Sequence, residues 1–298
     1  MAAPPAVRAG WSGVRPRQMK WLLVAPLFIF FVVFFVIPVG LMLATSFNPS
    51  AIGPPSLTFE LTVDNYIRFF GRSNFLQAAG RSMLLATVVS FITLIIAYPM
   101  AFAIAKTRHP GRNTFLLILV LAAMQLDMVI RLYGLMVILG DNGLINQLLM
   151  GLGLISSPAP LMYNLLGVVL GLVQFSLPFM ILTLVGVIRG IDPSLEEAAR
   201  SLGASWWRAF FRVTFPISIP GVLAGSLLVF ALSISSYIVP ALMGGFRVGV
   251  LPIHIYQQVA EGARFQFGAT VAVVLFLLSA TAIVIYTRIG ARRSGGLA

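Results

Sequence analysis

The sequence has no cysteine, only eight acidic residues and only two histidines among 298 residues. Without cysteine, disulfides, thiol catalysis and cysteine-ligated metals are excluded. His109 and His254 lie far apart in the sequence, and the acids are scattered apart from the pair Glu196-Glu197. Neither a metal site nor a set of nucleophile, base and orienting group can be assembled from them. No Gly-x4-Gly-Lys-Ser/Thr phosphate loop occurs, so we expect no catalytic residue, no metal and no cofactor bound by this chain.

Charge is scarce and apolar runs are long. Hydrophobic residues make up 59% of the sequence and charged residues 9%, with a mean hydropathy of +0.99. A soluble protein has about 25% charged residues, so this composition predicts an all-α integral membrane protein. Six apolar segments are long enough to cross roughly 30 Å of hydrocarbon. They are Trp21–Leu43, Met83–Ala105, Thr114–Leu139, Leu161–Val187, Ile217–Leu242 and Gly268–Tyr286.

The basic residues predict how these six spans are oriented. Fourteen of the 20 Lys and Arg residues fall in the N-terminal tail, the loops after spans two and four, and the C-terminal tail. The positive-inside rule therefore places both termini in the cytoplasm. The net charge of +12 lies in short loops, which argues against a nucleic-acid partner. We divide the chain into a basic tail (1–20), a six-span domain (21–287) with a cytoplasmic loop at 188–217, and a second basic tail (288–298). The first apolar run has no Ala-x-Ala cleavage site, so we expect an uncleaved span.

The loop 188–217 is the most polar stretch between two spans, and its residues predict two short helices. Asp192 can cap the first helix, Pro193 suits its first turn, and Gly203 can end it with a positive φ. In the second helix the apolar and basic side chains separate onto two faces, as in a helix that lies at a membrane surface. The residues on these faces are Trp206, Phe210 and Val213, and Arg208 and Arg212.

This loop also carries a family resemblance. Glu197-Ala-Ala, then Gly203, then Val213-Thr-Phe-Pro216 resembles the EAA loop of permeases of binding-protein-dependent ABC importers. In that family the loop is a coupling helix that docks into a groove on a cytoplasmic ATPase. The resemblance implies coupling roles for Glu196, Glu197, Ala198, Ala199, Gly203 and Pro216. An ordinary interfacial loop is the alternative interpretation.

Spans three and five contain the candidate pathway residues. Asp127 and Arg131 are four residues apart, so on a continuous helix they can pair on one face, either in an aqueous pathway or as a structural ion pair. The stretch from Arg131 through Tyr133 resembles the spermidine/putrescine branch of the family, although Asp127 stands where that branch has Ser or Thr. In span five, Ser233, Ser236 and Tyr237 either line a pathway or hydrogen-bond within the bundle. Gly221 and Gly225 there allow close helix packing.

Taken together, the resemblance implies a permease subunit of an ABC importer in a bacterial inner membrane. The implied partners are a second, homologous permease, ATPase subunits that bind ATP and Mg²⁺, and a periplasmic or surface substrate-binding protein. The implied solute is a polyamine or a related organic compound, although some relatives have a carboxylate near Ser236 that this chain lacks. A secondary transporter without an ATPase is the alternative, and it would be expected to have more intramembrane acids.

Overall fold

The computed structural model describes residues 16–53, 60–107 and 109–294, and its regular elements in those ranges are helices. They are α1 (Pro16–Phe31), α2 (Ile37–Ser46), α3 (Asp64–Phe70), α4 (Ser73–Lys106), α5 (Pro110–Gln125), α6 (Met128–Leu139), α7 (Leu144–Gly151), α8 (Leu165–Arg189), α9 (Pro193–Ser201), α10 (Trp206–Ala209), α11 (Phe215–Ile234), α12 (Ile238–Gly244), α13 (Leu251–Tyr256) and α14 (Phe265–Ser294). Three π-helical turns, Val32–Val36, Phe210–Thr214 and Gln257–Glu261, follow α1, α10 and α13. The predicted all-α class is confirmed. Most of the predicted tail 1–20 lies outside the described residues.

Six helical stretches in the described part of the chain are long and apolar enough to cross a membrane. They are Val24–Ser46, Ser73–Lys106, Met128–Gly151, Leu165–Arg189, Trp206–Ile234 and Phe265–Arg288. The number agrees with the six predicted spans. The fifth stretch is shifted towards the N-terminus relative to the predicted Ile217–Leu242, and the first, second, fourth and sixth overlap the predicted ones closely. The third does not.

The predicted third span, Thr114–Leu139, is wrong as a continuous helix. Its first part belongs to α5, which ends at Gln125, and α6 begins at Met128. Asp127 lies in the break, where one carboxylate oxygen accepts hydrogen bonds from the backbone N–H groups of Val129 at 2.8 Å and Ile130 at 3.4 Å. Aspartate is a strong N-cap residue, and its charge is favourable at a helix N-terminus. The cap therefore starts a new helix inside a run that is apolar on both sides.

Helix α8 is the centre of the bundle, with α4 and α11 packed against it. Glycines allow this close packing. A Cβ atom on Gly221 of α11 would lie 2.8 Å from Cβ of Val187, and one on Gly225 would lie 2.6 Å from the sulfur of Met180. Both partner residues belong to α8. The predicted packing role of these two glycines is therefore confirmed.

The chain direction defines two ends of the bundle. Helices α4 and α8 end near α9, and α11 leads away from it. Helix α14 runs back towards α9. We name these the α9 end and the opposite end. The first span packs mainly through its last turn at the opposite end, where the Ser46 hydroxyl lies 2.7 Å from the hydroxyl of Tyr66 and the Ser46 carbonyl accepts a hydrogen bond from Thr270. Phe69, Phe75 and Phe267 form a second core there.

Candidate functional site

Helix α9 begins and ends as its sequence predicts. The Asp192 carboxylate accepts a hydrogen bond from the backbone N–H of Ser194 at 2.9 Å, and the hydrogen bonds from Ser194 lower the pKa of Asp192. At the other end Gly203 has a φ of +86°. The N–H of Gly203 donates to the carbonyl of Arg200, and the N–H of Ala204 donates to the carbonyl of Ala199. This pair of bonds is the Schellman ending, which favours glycine at the left-handed position.

The α9 helix is a surface element with two different sides. None of its residues is buried. Glu196 and Ala199 are half-buried against the bundle, whereas Glu197 and Ala198 are exposed. Leu202, directly after the helix, is 90% exposed. The structure thus presents an acidic and apolar face at one end of the bundle, with a glycine bend at its end.

One ion pair joins α9 to the end of α4. The Nζ atom of Lys106 lies 2.9 Å from Oε2 of Glu196. The two side chains border a cleft of about 360 Å³ that also includes Phe102, Arg200 and Trp206. Sequence reasoning placed Glu196 in the loop but did not find Lys106, because no short-range pattern relates two residues 90 positions apart. The pair fixes the position of α9 relative to the second span.

The segment after Gly203 corrects the predicted surface helix. Trp206 to Ile234 form one helical stretch, so α10 is the beginning of the fifth span and not a separate amphipathic helix. The π-helical turn Phe210–Thr214 makes this continuity possible. The N–H of Phe215 donates to the carbonyl of Phe210, five residues back. Pro216 follows directly, and because proline has no N–H it cannot continue the ladder of hydrogen bonds at this position, next to the π-helical turn.

Aromatic side chains connect this stretch to α4. The ring of Phe102 lies 6.0 Å from that of Trp206 and 5.3 Å from that of Phe210, measured between centroids. One turn earlier on α4, the hydroxyl of Tyr98 lies 2.8 Å from that of Ser218. The end of α4 therefore contacts α9 through an ion pair and the start of the fifth span through packed rings.

The candidate pathway residues of α6 do not form the predicted ion pair. The Asp127 carboxylate caps α6, and no salt bridge to Arg131 is present in the described part of the chain. The guanidinium of Arg131 instead lies over the ring of Phe175 at 5.7 Å, and its Nε atom is buried without a hydrogen-bond partner among the described residues. Tyr133 is exposed. A pathway role for these three residues remains a prediction.

The second group of pathway residues lies where the chain leaves α11 at the opposite end. Ser233 is buried, and its hydroxyl has no partner within the described ranges. The ring of Tyr237 stacks on that of Tyr256, with centroids 4.7 Å apart and planes 26° apart. Burial, the neighbouring Tyr256 and the carboxylate of Glu261 together raise the pKa of Tyr237. Ser236 is half-buried beside it. Their role in a pathway also remains a prediction, and sequence reasoning found neither Tyr256 nor Glu261.

A search of the described residues finds no group of three His, Asp or Glu side chains that could hold a metal. Lys106 and Glu196 form an ion pair in the described part of the chain. The α9 end of the bundle presents an exposed helix, the bend at Gly203 and the ion pair of Lys106 with Glu196.

Comparison with known proteins defines the class. The family model for the binding-protein-dependent transport system inner membrane component matches residues 87–295. The chain is 35% identical over 272 residues to the spermidine/putrescine transport system permease protein PotB of Haemophilus influenzae, covering 91% of this chain and 94% of that one. It is 30% identical to the sulfate transport system permease protein CysW of Synechocystis, over 76% of this chain and 81% of that one.

The fold is also that of solved importers. A bacterial ABC transporter that imports the acidic polysaccharide alginate matches with a TM-score of 0.70 at 19% identity, covering 92% of this chain and 96% of that chain. The MetNI methionine ABC transporter matches with a TM-score of 0.57 at 18% identity, covering 74% and 96%. The protein is thus a multi-span membrane permease of the ABC-importer type. It belongs to the family of binding-protein-dependent transport system inner membrane components, in the spermidine/putrescine-like branch, and this replaces the alternative of a secondary transporter.

Proposed function

We propose that this permease imports a polyamine or a related organic cation, driven by separate ATPase subunits that dock on α9. The observation that supports the ATPase partner is the surface of α9 itself. Glu197 and Ala198 face away from the bundle, and Leu202 is 90% exposed beside them. These side chains are accessible to a partner protein, and the proposed docking surface is the side of α9 that does not pack against the bundle.

The ion pair between Lys106 and Glu196 would transmit a movement of α9 to the second span. Lys106 holds α9 against α4, and the rings of Trp206, Phe210 and Phe102 hold the start of the fifth span against the same helix. Closure of an ATPase dimer on α9 would then move the ends of two spans together. ATP and Mg²⁺ would be bound by the partner, and the two transport states must differ in their affinity for it.

The proposed orientation places the α9 end in the cytoplasm, as the distribution of Lys and Arg predicts. The opposite end would face the periplasm and receive solute from a binding protein. A second, homologous permease would complete the pathway. The polyamine class is inferred from the 35% identity over 91% of the chain to a spermidine/putrescine permease.

The test is a pull-down from detergent-solubilised membranes, with ATPase activity measured in the eluate. We expect an ATPase subunit to co-purify with the wild-type chain and to be reduced several-fold by Glu197→Ala. Asp141→Ala removes an exposed acid from the turn between α6 and α7 and is the matched control. If the wild-type protein is folded and brings down no ATPase, or if both substitutions have the same effect, the proposal is wrong.

A further inference from the structure

The opposite end of the bundle contains an aromatic and acidic cluster that coupling to an ATPase does not use. Tyr237 directly precedes α12 and Tyr256 ends α13, so two separate parts of the chain bring their rings together. The ring centroids are 4.7 Å apart, and the planes are inclined by 26°. Tyr256 is 41% exposed, which leaves part of its ring accessible to a ligand.

A carboxylate lies on the π-helical turn that directly follows Tyr256. Glu261 ends the π-helical turn that follows Tyr256, and its charge is near enough to contribute to the raised pKa of Tyr237. Glu261 forms no ion pair within the described ranges. The sequence has only eight acidic residues, so a carboxylate without an ion pair that follows two stacked tyrosine rings is unusual in this chain.

The nearest basic residue in sequence forms no ion pair with Glu261 among the described residues. Arg264 is three positions further on, but its guanidinium contributes to the lowered pKa of Arg68, after burial and Arg72. Arg68 in turn lies over the ring of Phe267 at 4.7 Å. Arg68, Arg72 and Arg264 are thus close enough to influence one another, and in the described part of the chain no cation forms an ion pair with Glu261.

The π turn itself adds a further acceptor. Gln258 lies within the same five residues as Glu261, and its side-chain oxygen is buried with no donor among the described residues. Single π turns inside helices are frequent at functional sites. Here the turn supplies a charged acceptor and an unused neutral one, directly after an exposed tyrosine.

We propose that Tyr237, Tyr256 and Glu261 form a binding site for an alkylammonium group. The tyrosine rings offer the negative faces that attract an organic cation, and the carboxylate supplies the opposite charge and accepts the N–H bonds. The assignment rests on the proposed function for its biological meaning, because the site lies at the end of the bundle where solute would enter. A polyamine has such a group at each end, so one terminus can occupy the site while the rest stays mobile.

The experiment measures binding of putrescine to the full-length chain in lipid nanodiscs, by saturation-transfer NMR on its methylene protons. The neutral counterpart butane-1,4-diol has the same carbon chain and is measured in parallel. We expect putrescine to bind, and Glu261→Gln and Tyr256→Leu each to weaken its binding about ten-fold. Tyr256→Phe keeps the ring and should bind as wild type does.

Asp141→Asn is the control for general charge, because it removes an exposed acid outside the cluster. The assignment is overturned if Glu261→Gln leaves binding unchanged, if Asp141→Asn weakens it equally, or if butane-1,4-diol binds as well as putrescine. The folding of every variant is first compared with that of wild type by gel filtration. Wild-type binding by Tyr256→Phe would support an effect of the ring and not of the hydroxyl. No ATPase is present in this assay, so its outcome is separate from that of the pull-down.

Discussion

Lys106 and Glu196 form an ion pair of 2.9 Å between the last residue of the second span and the exposed helix α9. The side chains are only 24% and 15% exposed, so solvent screens the pair less than a fully exposed one. A partly exposed pair of this kind contributes on the order of 1 kcal/mol. The free energy of this ion pair is small, but the pair joins the bundle to the helix that a docked partner would have to move.

Breaking this pair should free α9 without unfolding the bundle. We expect Lys106→Gln to increase tryptic cleavage after Arg200 in inside-out vesicles by up to about five-fold, because cleavage follows the population of the released helix. Glu196→Gln should have the same effect, and the double variant no more than either single one. Arg112→Gln, an exposed cation near the start of α5, is the control. Multiplicative effects in the double variant would show that the two residues act independently.

The bend after α9 should tolerate few side chains. Gly203 has a φ of +86°, and a Cβ atom added to it would meet no atom within 4 Å, so any penalty comes from the backbone and not from a clash. We expect Gly203→Val to impair transport-coupled ATP hydrolysis while membrane insertion stays normal, since the left-handed conformation costs about 1–2 kcal/mol. Gly203→Asn should be milder. Gly111→Val, at an equally open glycine without positive φ, is the control. Normal ATP hydrolysis by an assembled Gly203→Val complex would contradict the prediction.

Much of the fold follows from local properties of the sequence. The six-span count follows from long apolar runs, whereas the Asp192 cap and the Gly203 ending each depend on a few neighbouring residues, and all three are present. Hydropathy does not reveal the break at Asp127, because it averages over many residues, whereas an N-cap depends on one. The continuity from Trp206 into the fifth span is equally hidden, because a π turn has no distinctive composition.

The contacts that define the candidate sites are less accessible to sequence reasoning. Lys106 meets Glu196, and Tyr237 meets Tyr256, only after several spans have packed together. Nothing in the periodicity of either segment relates the partners. The residues of the loop motif can be found from the sequence because the motif is defined by residue types at fixed positions along the chain.

The contact between α8 and α11 should be sensitive to a single methyl group. A Cβ on Gly221 would lie 2.8 to 3.1 Å from three side-chain carbons of Val187, a branched and stiff residue. We expect Gly221→Ala to destabilise the protein by about 1–3 kcal/mol, seen as a lower midpoint of thermal unfolding in detergent. Val187→Ala should partly restore the midpoint. Gly186→Ala adds the same methyl group where nothing lies within 4 Å and is the control. An equal effect at both glycines would exclude the packing explanation.

The hydrogen bond between Tyr98 and Ser218 should make a measurable but modest contribution to the packing of α4 on α11. The two hydroxyl oxygens are 2.8 Å apart, and Ser218 is fully buried. Tyr98→Phe removes the hydroxyl and keeps the ring, which lies 5.7 Å from that of Phe210. With Ser218→Ala it defines a double-mutant cycle, in which we expect an interaction free energy of about 0.6 kcal/mol, as is usual for hydrogen bonds between membrane helices. The free energies come from unfolding in mixed micelles. Strict additivity of the two substitutions would mean that the hydroxyls do not stabilise each other.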